Sequence, residues 1–115
     1  MMTEVEAARH ASERGLILRT LKEDYITPMT SVNALGRALD SMGVSLAPSS
    51  LDFHLVYLAQ QQYVQIWRAS DMPGHRTDRA ALRYCDPNAI VFAKLLPRGL
   101  QLVDGDIGAD SKVAF

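Results

Sequence analysis

A chain of 115 residues, 48% hydrophobic and 22% charged, has the composition of one ordinary globular domain, large enough to bury a core without staples. Its formal charge of −1 excludes a basic field over the whole molecule, so any nucleic-acid surface has to be a local patch offset by acid elsewhere. A single cysteine, Cys85, rules out an internal disulfide, and no apolar run approaches the roughly 20 residues of a membrane span.

The N-terminus, MMTEVEAARHASERG, lacks the apolar core of a secretion signal; with the lone thiol this leads to the expectation of a reducing, cytoplasmic setting. Thr3 and Glu6 have capping-box spacing and open a first helix over about Glu4 to Glu23. Its second half is the stronger, with Ile17, Leu18, Leu21 and Tyr25 on one side, whereas Val5, Ala7, Ala8 and Ala11 cover little area. Gly15, between the halves, either bends the helix or admits a close neighbour. Pro28 cannot continue that helix, and Thr30 or Ser31 can cap the next. Val32, Leu35, Leu39 and Met42 then recur at helical spacing up to the stop at Gly43.

Pro48-Ser49-Ser50 opens a third helix, since proline presets a helical φ and the hydroxyls can cap free N–H groups. Leu51, Leu55 and Leu58 share one face of it. After Gln60-Gln61-Gln62 the period changes, and Tyr63 to Arg68 reads as a strand from its β-branched and aromatic content. Asp71, Pro73 and Gly74 make a turn cluster, and Thr77 to Tyr84 is open between a helical turn and a hairpin arm. Ala89 to Leu95 is a second strand suited to antiparallel pairing with the first, and Leu96 to Val103 closes the body with a short helix begun by Pro97. Leu35, Leu39, Leu55, Leu58, Ile66 and Leu100 are expected in one core.

A helix with Leu51, Leu55 and Leu58 that passes through a few polar residues straight into a strand resembles the third helix and first wing strand of winged helix-turn-helix proteins. Gly99, Leu100 and Leu102 match the last element of that family, although Leu96 stands where a capping Thr is common. Many members have Gly at the position of Gln62, where the chain leaves the helix with φ > 0. The resemblance implies an α+β, mostly α fold: three helices, a small antiparallel β wing and a short C-terminal helix. It covers about Leu16 to Asp104 and rests on element order and apolar spacing. It makes Val44-Ser45-Leu46 a small first strand of a domain at 1–104; the stretch 105–115, polar with Val113, Ala114 and Phe115 at its end, is expected to be a mobile tail unless Phe115 docks. The chain also resembles small winged-helix proteins carried by Mu-like prophages, though no residue motif carries that second likeness.

The residues offer no enzyme chemistry. His10, His54 and His75 lie far apart, none at metal-ligand spacing with Cys85 or a carboxylate. Cys85 has no identifiable base. Asp104, Asp106 and Asp110 resemble a calcium loop until its twelfth position, which is Phe115 rather than a carboxylate. No glycine-rich phosphate loop is present, so no cofactor and no metal are expected.

What the resemblance implies is double-stranded DNA as partner, with the third helix in the major groove and a basic wing on the phosphates. On that reading Ser49, Ser50, His54 and Gln61 face the bases, and Arg68, His75, Arg76, Arg79 and Arg83 form the wing's clamp. A transcriptional regulator, dimeric through the first helix or the tail, is the corresponding expectation. Against it, no lysine or arginine occurs from Val44 through Trp67, and Asp52 faces a polyanion badly. The alternative is the same fold used as a protein-interaction module, without DNA.

Overall fold

The computed structural model describes residues 3–72 and 86–115. In chain order these form α1 (Glu4–Glu23), β1 (Thr30–Ser31), α2 (Val32–Ser41), α3 (Pro48–Gln60), β2 (Val64–Arg68), a 3-10 turn (Ala69–Asp71), β3 (Ile90–Leu95) and α4 (Pro97–Asp104). The fold is α+β and mostly helical. Its three-stranded antiparallel sheet has the order β1-β3-β2.

Local chemistry accounts for the boundaries. The Thr3 hydroxyl accepts from Glu6 N–H at 3.1 Å and starts α1. Ser31 does the same for α2, accepting from Ala34 N–H at 3.0 Å. Gly43 ends α2 with φ of 83°, and Val44 N–H returns to the Leu39 carbonyl at 2.9 Å. Gln62 takes φ of 64°, the left-handed exit that glycine fills more cheaply, and its neighbour Tyr63 donates back to Leu58 O. Leu58 and Val64 are thereby held on consecutive elements of one core.

That core is continuous. Ile17, Leu18 and Leu21 from α1, Leu35 and Leu39 from α2, and Leu51, Leu55 and Leu58 from α3 pack with Ala93 and Leu95 of β3 and Leu102 of α4. Leu35, Leu39, Leu55 and Leu58 are fully buried as expected, and Ile66 and Leu100 pack against the core while half-buried. Gly99 lets α4 close onto the start of β2: a Cβ there would overlap the Tyr63 carbonyl oxygen and reach within 2.6 Å of Leu95 Cδ1.

The strand expected at Val44 to Leu46 is not formed. Its backbone is taken up in ending α2, and α3 begins again at Pro48. The free edge of β3 is filled instead by Thr30 and Ser31, which pair with Ala93 and Phe92. Lys94 of the same strand donates to the carbonyls of Tyr25 and Thr27 at 2.7 and 2.9 Å, holding the α1–β1 link against the sheet. The other edge of β3 pairs with β2, Val64 opposite Leu95 and Trp67 opposite Phe92, with a register shift between Trp67 and Arg68.

The polar tail is docked rather than free. Val113 is buried, and Ala114 N–H donates to Ala11 O of α1 at 2.9 Å. Gly15 explains the close approach: a Cβ on it would overlap Ala114 O and lie 2.8 Å from Ala114 C. Of the two roles open to Gly15, the structure shows the close neighbour, and the neighbour is the chain's own end.

Candidate functional site

Ser49 and Ser50 occupy the exposed first turn of α3, where outward-reading residues were expected. His54 does not join them. It is 1% exposed and points into the molecule. The reason is its place between Leu51 and Leu58 on the apolar stripe, together with partners waiting on α1. Gln61 caps the C-terminal end of the helix, its carbonyl accepting from Arg98 Nε at 3.0 Å. The residues that α3 does expose are Pro48, Ser49, Ser50, Phe53 and Gln60, with Asp52 and Val56 half-buried beside them. Burial raises the Asp52 carboxyl above its ordinary range, and nearby Arg68 only partly offsets this.

Arg68 stands at the end of β2, but its guanidinium donates from Nη1 to Asn88 O at 2.6 Å and so ties the two ends of the 69–89 connection together. Its backbone N–H is held by Asp71 at 2.9 Å. His75, Arg76, Arg79 and Arg83, like Cys85 and the segment Thr77 to Tyr84, lie outside the described residues. Among the described residues no group of three or more His, Cys, Asp or Glu side chains is placed to hold a metal ion, and no helix is long and apolar enough to cross a membrane.

A second polar assembly joins α1, α3 and the tail. Arg14, on the apolar stripe of α1, is 6% exposed. Its Nε–H donates to His54 Nδ1 at 3.1 Å and its Nη1–H to Lys112 O at 3.2 Å. Because His54 Nδ1 accepts, its proton sits on Nε2, which donates to Glu13 Oε2 at 3.0 Å. Burial, reinforced by the Arg14 charge, lowers the His54 pKa from its ordinary 6.5 against the opposing pull of Glu13, and the ring stays neutral. Arg14 lies 4.2 Å from the Tyr57 ring centroid and 5.4 Å from that of Phe53.

Asp110 completes the assembly from the tail. It accepts from the hydroxyls of Tyr57 and Tyr63, each at 2.9 Å, and from Lys112 N–H at 2.8 Å. Burial works to raise its pKa, but these hydrogen bonds and the Arg14 charge outweigh it, so its carboxylate is held below the usual range. The Tyr57 phenol is pushed up to about 12, first by burial and then by Asp110.

Sequence reasoning missed Glu13, Arg14 and Phe53, and weighed Asp110 only for a calcium loop. For Arg14 a signal existed: Ala11, Arg14, Leu18 and Leu21 share one face of α1, so a cation falls in line with apolar positions. Comparison of the chain with protein-family models, with curated proteins and with solved structures finds no match.

Proposed function

We propose that the chain is a winged-helix protein that binds double-stranded DNA, as a transcriptional regulator does, with α2 and α3 as its helix-turn-helix and the β2–β3 connection as its wing. The observation that carries this reading is the element order. A helix pair is followed by an antiparallel β2–β3 pair whose second strand also takes a short strand from between α1 and α2. The connection between β2 and β3 contains Arg76, Arg79 and Arg83, and guanidinium groups there would grip phosphates bidentately. With Arg68 engaged by Asn88 and His54 buried, affinity rests on the wing arginines, and α3 contributes Ser49 and Ser50 at its N-terminal end. A homodimer through the first turns of α1, where Val5 is 80% exposed, fits the same reading.

Fluorescence anisotropy of a labelled duplex across salt tests it. Each phosphate contact contributes a slope of about −0.9 in log K against log salt. Replacing Arg76 and Arg79 together by alanine should flatten that slope by roughly 2 units and weaken all duplexes alike. No duplex binding by the folded protein at about 50 mM salt would remove the DNA reading.

One observation favours the second reading, a protein-interaction module. The exposed side of α3 carries no cation, and Phe53, half its surface exposed, stands beside Val56 in the middle of it. Absence of duplex binding, with a partner whose capture is lost in Phe53→Ala, would establish that alternative.

A further inference from the structure

Arg14 presents an unusual charge balance. It is 94% removed from solvent by its 6% exposure, yet among the described residues no carboxylate comes within ion-pair distance of it. The nearest acids are committed elsewhere, Glu13 to His54 and Arg9, and Asp110 to Tyr57, Tyr63 and Lys112 N–H. Their charges reach the guanidinium only through space and do not outweigh its burial, so an anion that touches it from a groove would supply the direct ion pair that neither acid makes.

Such a groove is present. A cavity of 710 Å³ between α1, α3 and the tail is lined by Arg14, Lys112, His10, Phe53, Tyr57 and Val56 among others, a size that suits a small ligand. Lys112 Nζ lies 5.7 Å from the Tyr57 ring that Arg14 also faces, so two cations converge there. Phe53 provides an aromatic wall, with the His10 ring edge-on at 5.7 Å. His10 Nδ1 is buried and has no hydrogen-bond partner among the described residues, an unmet polar demand at the same place. Asp52 also lines the groove, but more than one turn of α3 before Tyr57.

We infer that this groove binds a small aromatic carboxylate, with the anionic group at Arg14 and Lys112 and the ring against Phe53. The chemistry selects a flat monoanion. The cations meet a carboxylate, the aromatic wall meets a ring, and Asp52 disfavours a multiply charged phosphate. The site does not depend on whether the chain binds DNA.

The test uses the full chain and three probes at constant ionic strength: benzoate, benzyl alcohol as the uncharged ring, and acetate as the ringless anion. Binding is followed by amide chemical shifts and by melting temperature. Benzoate should saturate with Kd of about 1 mM, and at about ten times that concentration it should raise the melting temperature by roughly 5 °C. The other two probes should bind at least roughly tenfold more weakly. Lys112→Gln and Phe53→Ala change exposed side chains and leave the Arg14–Lys112 carbonyl bond in place, so both should fold; each should weaken benzoate by about three- to tenfold. The inference is overturned if benzoate gives no saturable change up to about 20 mM, if benzyl alcohol binds as well as benzoate, or if either variant keeps the unsubstituted affinity.

Discussion

Gly15→Ala is the substitution whose outcome depends most directly on how the C-terminal segment sits. In an isolated helix the change is favourable by about 1 kcal/mol, because alanine loses less backbone entropy than glycine. Here the added Cβ would overlap Ala114 O, so the tail must move away from α1. Moving it breaks the Ala114 N–H to Ala11 O bond, worth about 1 kcal/mol, and re-exposes Val113, whose full burial is worth about 1.5–3 kcal/mol. Against the propensity gain, the full chain should lose about 1–3 kcal/mol, seen in urea denaturation at fixed m-value as a lower midpoint. The control is a chain ending at Asp110. With no Ala114 to meet, the same substitution should be stabilising by about 1 kcal/mol. A reversal of sign between the two backgrounds is the expected result. Stabilisation of the full-length chain by Gly15→Ala would refute the docked tail.

Leu55→Ala empties a fully buried position on α3 and should cost about 2–5 kcal/mol; a loss below about 0.5 kcal/mol in the same denaturation assay would contradict its place in the core. Gln62→Gly relieves a left-handed residue at φ of 64° and should stabilise by up to about 1 kcal/mol, measured as a raised urea midpoint. His54 has its pKa lowered in the folded state, so the unfolded chain takes up the proton first as pH falls below the ordinary 6.5. The unfolded state then binds more protons. Stability is therefore fully present above about 6.5 and declines below it until the lowered folded pKa is passed, with a slope of at most about 1.4 kcal/mol per pH unit for one group. Urea midpoints at several pH values, compared with those of His54→Gln, should show a flatter profile for the variant in that window.

The helices could be read from the sequence because each carries its own punctuation: Thr3, Ser31 and Pro48 at starts, Gly43 at a stop, and leucines at helical spacing between them. The hairpin strands were legible for the same local reason. What escaped were features settled by distant partners. Thr30 and Ser31 form β1 only because β3 leaves an edge open, and no two-residue pattern announces a strand. His54 was placed outward because it is polar, yet polarity excludes burial only where partners are missing, and Arg14 and Glu13 supply them from about 40 residues away. The tail has too few apolar residues to signal packing; its seat is a bare backbone at Gly15 and a pair of tyrosine hydroxyls.

The bond from Arg14 to the Lys112 carbonyl spans 98 positions, almost the whole chain. During synthesis α1 emerges well before Lys112, and its buried arginine waits for that residue to be added. Until then the cation lacks its main-chain acceptor, and Ala11 O lacks its donor. α1 thus reaches its final packing only once that segment is available, through closure of a loop of 98 positions. Removing residues 111–115 would take only Val113 from the core, yet leave an arginine committed to the interior without the carbonyl that completes its setting.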